Sequence, residues 1–292
     1  MTKLTRRQAV SGLAATAAAP LLASCARTIA VAPAAPLPPL AAGSGDAAAG
    51  ALLDSFAQNL LRLWPESATS LALDKGANAD LRSKLADRSQ AGQDRLAAQL
   101  RADLARAEGI DTSALTHSVR TSVEVVKSAY RVSLEGFAQP YGDVAVGSWR
   151  NTPYVVIQNV GAYLDTPRFL DSDHLIKTAA DAEAYLARLD SMAVQLDGEL
   201  GRIRAARGKG LIPPAFLLDK AVRQMEQSLT GAKAGGGLVD SLVRRAREAG
   251  IAGDWQGRAE AIVKGRIAPA LERQLAELRL QRQSANMDAG LW

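Results

Sequence analysis

The sequence predicts an all-α fold: an antiparallel array of about six to nine helices with one long irregular segment at its centre. Three observations carry this. From residue 51 onward apolar residues return every three to four positions, and no stretch sustains period-two alternation. Pro and Gly punctuate the runs at helix-length intervals. Leu, Val and Ala supply the core, since 57 of the 292 residues are alanine and only 4% are aromatic.

The first helix carries Leu52, Leu53, Phe56, Leu60 and Leu63 on one face, and Pro65 stops it just after Trp64. Asp94 to Glu108 carries Leu96, Leu100 and Leu104 and ends at Gly109. A third helix begins near Ser113, with Leu115, Val119, Val123, Val126, Tyr130 and Leu134 in phase. Thr178 is placed to cap a long helix holding Leu186, Leu189, Leu196, Leu200 and Ile203, closed by Gly208 and Gly210. Pro213 and Pro214 open the next, with Leu217, Leu218, Val222, Met225 and Leu229, and Gly231 is its expected stop. Gly237 to Ala249 and Trp255 to Gln283 complete the set, with Pro269 kinking or dividing the last.

One stretch departs from this pattern. Ala138 to Lys177 holds five of the 13 aromatic residues together with Arg150, Asn151, Gln158 and Asn159. Long irregular segments in compact domains are often functional. Aromatic faces mixed with amides suit a peptide or a sugar, because rings stack while amides bond to carbonyls and hydroxyls.

The N-terminus reads as an address. Arg6 and Arg7 precede an uncharged run from Val10 to Ala23, which resembles a twin-arginine export signal. That run is 14 residues long, short of the roughly 20 a spanning helix needs. Leu22-Ala23-Ser24-Cys25 resembles a lipobox, with Cys25, the only cysteine, as the lipidated residue. Residues 1–24 are thus expected to be a lipoprotein signal peptide, 25–50 a Pro/Ala-rich tether and 51–292 the helical domain. The expected location is the periplasmic side, anchored by lipid, at the outer membrane in a Gram-negative cell. Removing Lys3, Arg6 and Arg7 takes the formal charge from +5 to +2, so the basic balance is no argument for a nucleic-acid partner.

Catalytic signals are sparse. A single Cys excludes a disulfide framework and a Cys-based zinc site, and His117 and His174 stand too far apart for an HExxH helix. Asp171, Asp173 and His174 read as a solvated turn before a helix, and Glu183, Asp190, Asp197 and Glu199 as carboxylates on a solvated face. Gly235-Gly236-Gly237 reads as a flexible loop, and Arg244, Arg245 and Arg247 as a solvated basic face. The sequence names no catalytic and no metal-binding residue.

Several runs resemble the bacterial DUF-885 family (domain of unknown function 885). They are Trp64-Pro-Glu-Ser-Ala-Thr-Ser-Leu-Ala-Leu-Asp, Gly147-Ser-Trp-Arg-Asn-Thr-Pro-Tyr-Val-Val, Gly161-Ala-Tyr and Pro167-Arg-Phe-Leu-Asp. Asp181-Ala-Glu-Ala-Tyr-Leu-Ala-Arg-Leu and Gly210-Leu-Ile-Pro-Pro continue in family order. The resemblance implies kinship with helical zinc metallopeptidases, whose zinc helix of the HExxPGH kind belongs to a second, C-terminal half. No position here matches that helix, so the resemblance implies an N-terminal half that is catalytically silent alone, with zinc expected only in the other half. It also makes Trp149, Arg150, Asn151, Tyr154, Gln158 and Tyr163 candidates to face substrate. Two function readings follow: the substrate-cleft half of an exported peptidase-like lipoprotein, or a stand-alone envelope lipoprotein that binds a peptide or glycan through residues 138–177. Oligomeric state is left open by the sequence.

Overall fold

The computed structural model describes residue 43, residues 45–147 and residues 151–288. Arg6, Arg7, Cys25, Trp149 and Arg150 lie outside the described residues. Ten α-helical segments follow one another: α1 (Asp46–Leu63), α2 (Pro65–Ser70), α3 (Gln90–Glu108), α4 (His117–Phe137), α5 (Ala162–Ser172), α6 (Ala179–Gly208), α7 (Ala215–Ala234), α8 (Leu238–Glu248), α9 (Trp255–Ile262) and α10 (Ala268–Ser284). Short 3-10 turns at Gly76–Ser83 and Thr112–Ala114 link the early ones. The described residues contain no strand, only isolated bridges pairing Asp143 with Thr152 and Ile157 with Val160. The fold is all-α, as the periodicity predicts.

Local chemistry sets most boundaries. Trp64 leaves helical geometry at φ −126°, and Pro65, whose ring pre-sets φ and whose missing N–H is no loss there, starts α2. Ser89 Oγ accepts the Gly92 N–H at 3.2 Å, so α3 begins at Gln90, four residues before the expected start at Asp94. Thr178 and Asp181 form the reciprocal cap that starts α6: the Asp181 carboxylate accepts the Thr178 N–H at 2.8 Å, and Thr178 Oγ1 accepts the Asp181 N–H at 3.3 Å. α7 runs through Gly231 and stops at Gly235, which takes the left-handed φ of +76° that a helix C-cap favours.

Two proline positions correct the sequence reading. Residues 162–172 of the irregular segment form α5, with Pro167 inside it; among the described residues its irregular parts are 138–147, 151–161 and the short turn after Ser172. α9 and α10 are one continuous helix whose Val263–Ile267 stretch widens to a π turn. The wider turn makes room for Pro269, so the proline neither ends nor divides the helix.

α6 is the central post, packed against α3, α5, α8, α9 and α10. Its Tyr185, Leu189, Met192, Leu196 and Leu200 are buried with residues of α5, α7, α8 and α10 in the main core. Glu183, Asp190 and Asp197 recur every seven residues along α6 and pair with Arg258, Arg266 and Arg273 of the α9–α10 helix. Both series ascend together, so these two helices run parallel. α7 runs against α10, because Asp219 meets Arg282 and Lys233 meets Glu272.

The expected solvated turn at His174 is a buried polar knot. His174 and Arg188 are both fully buried. Arg188 can only donate, so its Nη1, 2.6 Å from His174 Nδ1, makes that nitrogen the acceptor. The proton then sits on Nε2, which donates to the Asp181 carbonyl at 2.9 Å. Arg188 also donates to Lys84 O, Leu81 O and Thr69 Oγ1, and its guanidinium stacks on Phe169. Burial and the neighbouring arginines lower the His174 pKa to about 4, which keeps the ring neutral. His117, by contrast, is exposed at the first position of α4.

Candidate functional site

A cleft of about 590 Å³ opens where α2, the link before α3, the irregular segment and α5 come together. Trp64 and Glu66 line one side, Asp143 to Ala145 another, and Asp165, Phe169 and Asp173 of α5 and its C-terminal cap a third. A smaller cavity of about 250 Å³ adjoins it through Gln93 and Val144 and ends at Arg202 and Lys209.

Buried hydrogen bonds between distant segments fix the cleft's floor. The Glu66 carboxylate accepts the Ala86 N–H at 3.0 and 3.1 Å and Gln195 Nε2 at 3.2 Å. Gln195 Nε2 also donates to Ala86 O at 2.9 Å, and its Oε1 accepts from Thr166 Oγ1 at 2.7 Å. This chain ties α2, residue 86, α6 and α5 together. Next to it Arg88 donates to Glu199 at 2.9 Å and to Asp165 at 3.4 Å. Burial opposes the Arg88 charge, but Glu199, Asp165 and Glu66 outweigh it and hold the guanidinium protonated above its ordinary range. Burial lifts the Glu199 carboxyl above its ordinary value, while Arg88 and the Ala162 N–H draw it back.

Arg202 anchors the irregular wall. Its Nη2 donates to Gly142 O at 2.7 Å and to Asp143 Oδ1 at 3.0 Å. Asp143 in turn exchanges two backbone bonds with Thr152, at 2.8 and 3.2 Å. Gly142 occupies φ +87°, and a Cβ there would lie 2.6 Å from Thr152 O, so glycine lets the two strands of the loop close. Asp173 is held at the rim by Ser70 and by Ser172 Oγ at 2.7 Å. The lining therefore mixes acids with Arg88 and Arg168 around the aromatic faces of Trp64 and Phe169. Such a surface can pair with charges, bond to amides and stack against apolar groups.

The structure spreads the sequence-predicted residues over several places. Asn151 is exposed and braces the loop, its Oδ1 accepting the Ala145 N–H at 2.8 Å. Tyr154 is half-buried, and burial pushes its phenol pKa up. Gln158 has a buried Oε1 without a partner among the described residues. Tyr163 is buried, with its hydroxyl 3.0 Å from both Ile157 O and Gln224 Oε1, and it belongs to the opposite face of α5. None of these four lines the 590 Å³ cleft. Its lining includes Trp64, Glu66, Arg168 and Phe169, all within the motifs quoted above, and Arg88 and Asp143, which no motif marks.

Among the described residues no three His, Cys, Asp or Glu side chains converge as metal ligands, and both His174 nitrogens are engaged within the core.

A sequence profile of the family described as bacterial protein of unknown function (DUF885) matches residues 65–290. The chain is also similar to a crystal structure described as "the putative lipoprotein from Colwellia psychrerythraea", at 18% identity and a TM-score of 0.75. The match covers 85% of this chain and 43% of that one, so the chain spans about half the length of that relative. No curated protein matches the chain.

Proposed function

The chain belongs to the DUF885 family, and from that premise we propose that it is an exported, lipid-anchored protein whose helices form the substrate-binding half of a peptidase-like cleft. The observation that carries this reading is a convergence: Trp64, Glu66 and Ser67 of one family motif and Arg168 and Phe169 of another line the same 590 Å³ cleft from about a hundred residues apart. The pair of α5 and α6 that supports the cleft is tied by buried hydrogen bonds rather than by loops, which suits a preformed binding wall.

Anchoring is proposed through Cys25. No described helix is long and apolar enough to cross a membrane, and the solved relative is itself described as a "putative lipoprotein". Residues 1–24 would be removed, the tether would hold the helices off the bilayer on the periplasmic side, and acyl chains on Cys25 would supply the attachment. The ordered helices begin at Asp46, within the segment read as tether.

On this reading the region described here binds peptide but does not hydrolyse it, and zinc chemistry belongs to residues outside it. Supplying the C-terminal half of a full-length family member in trans tests this. Zinc-dependent hydrolysis of a peptide pool only when both halves are present is the expected result. Hydrolysis that does not need the second half, or none with both, would overturn it. The alternative, a stand-alone peptide- or glycan-binding lipoprotein, keeps the same cleft, because residues 143–145 of the irregular segment line it.

A further inference from the structure

The other face of α5 borders a second, separate feature. Leu164, Pro167 and Asp171 point away from the 590 Å³ cleft and wall an apolar cavity of about 480 Å³, closed by Met192, Leu238 and the π turn at Val263. Asp171, Gly237 and Ser241 are shared with a neighbouring cavity of about 420 Å³. Val243 and Arg247 are shared in turn with a third, of about 510 Å³, that reaches Trp255. The three abut as one groove along α8. From Gly237 to Arg247 it extends about 15 Å, room for four to five residues of extended peptide.

The charges in this groove are set apart. Of the three arginines in the basic cluster, Arg245 turns inward to Leu170 O and His174 O at 2.8 and 2.6 Å, and Arg244 pairs with Glu248. Arg247 is exposed, and its guanidinium has no hydrogen-bond or ion-pair partner among the described residues. Asp171 is exposed, accepts the Ser241 hydroxyl at 2.7 Å and has no cationic side chain paired to its carboxylate among them. Ser241 and Arg247 are six residues apart on α8, about 9 Å, or three residues of extended chain.

We infer that the α8 groove is a peptide-binding subsite, separate from the cleft, that takes an apolar side chain in the 480 Å³ cavity, a basic group at Asp171 and a carboxylate at Arg247. A fatty acid fills the apolar cavity and offers an anion, but has nothing for Asp171. A peptide carries all three groups. The inference goes beyond the cleft reading, and the two separate by signal, since Trp255 borders this groove and Trp64 the cleft.

The test is calorimetric titration of the full chain carrying Cys25→Ser with acetyl-Phe-Lys-Ala-Ala-Glu-amide and its charge-swapped partner acetyl-Phe-Glu-Ala-Ala-Lys-amide. The first should bind saturably and the second about tenfold more weakly. Arg247→Glu should erase or invert that preference. Gly231→Leu should abolish the groove's share of the binding, the share that Arg247→Glu alters, without loss of stability, because Gly231 sits on α7 at the cavity wall, where a Cβ would meet nothing within 4 Å. Equal affinity for the two peptides, no binding, or laurate binding that Arg247→Glu abolishes in place of peptide binding would overturn the inference.

Discussion

Glu199 of α6 caps the N-terminus of α5, its two carboxylate oxygens accepting the Ala162 N–H at 2.9 and 3.0 Å. The same carboxylate takes Arg88 Nη1 at 2.9 Å, so one buried group orients both the helix that walls the cleft and the cation in it. Helix N-termini favour negative charge, and here that charge is supplied from another helix rather than from the chain before α5.

Glu199→Ala should therefore lower stability by about 3–5 kcal/mol, because it leaves Arg88 largely buried beside fewer partners and uncaps α5. Chemical denaturation measures this. Glu199→Gln should cost less, since the amide oxygen can still accept the Ala162 N–H.

The other carboxylates of α6 provide the contrast. Glu183, Asp190 and Asp197 pair with arginines at side-chain exposures of 42–52%. Replacing any one by its amide should cost under about 1 kcal/mol, and less still in high salt, by the same measurement.

His174 should make stability fall in acid. Its folded pKa of about 4 lies below its ordinary 6.5, so on acidification the unfolded chain takes the proton first. The stabilisation is whole above about pH 6.5 and is lost progressively as the pH falls to about 4, by about 3 kcal/mol at 1.36 kcal/mol per pH unit. His174→Gln should lower stability at neutral pH yet remove this slope, which denaturation midpoints between pH 4 and 7 resolve. An unchanged slope would place the acid sensitivity elsewhere.

Gly198 lets the link before α3 lie on α6. A Cβ at 198 would come within 2.9 Å of Ser89 N and 3.2 Å of the Arg88 carbonyl carbon, both backbone atoms that cannot rotate aside. Gly198→Ala should destabilise by about 1–3 kcal/mol despite the better helix propensity of alanine, and should weaken peptide binding by shifting Arg88. Thermal melting and peptide titration of this variant check both effects.

Helices were legible wherever the cause is local. The Thr178 cap, the Pro65 stop and the Gly109 stop each depend on residues within one turn. α5 was hidden because Pro167 and an aromatic, amide-rich neighbourhood mask its period. Helical phase could have singled out Glu199: residues 183, 190 and 197 fall on one stripe, while 199 lies about 200° from 197 and so faces the core. The Arg188–His174 knot and the Arg88 site join residues from several elements, Arg88 and Glu199 lying 111 apart, and no spacing rule reaches that far. For the same reason the cleft lining surfaced only partly, through Trp64, Glu66, Arg168 and Phe169 in the family motifs.

The most direct test of the substrate-cleft account is tryptophan fluorescence of the full chain carrying Cys25→Ser, titrated with a pool of extended pentapeptides. Trp64 lines the cleft, so the predicted result is a saturable change with a Trp64 component, which Trp64→Phe removes and Trp255→Phe leaves in place. No saturable change, or one that depends on Trp255 alone, would contradict the cleft as the site of peptide binding.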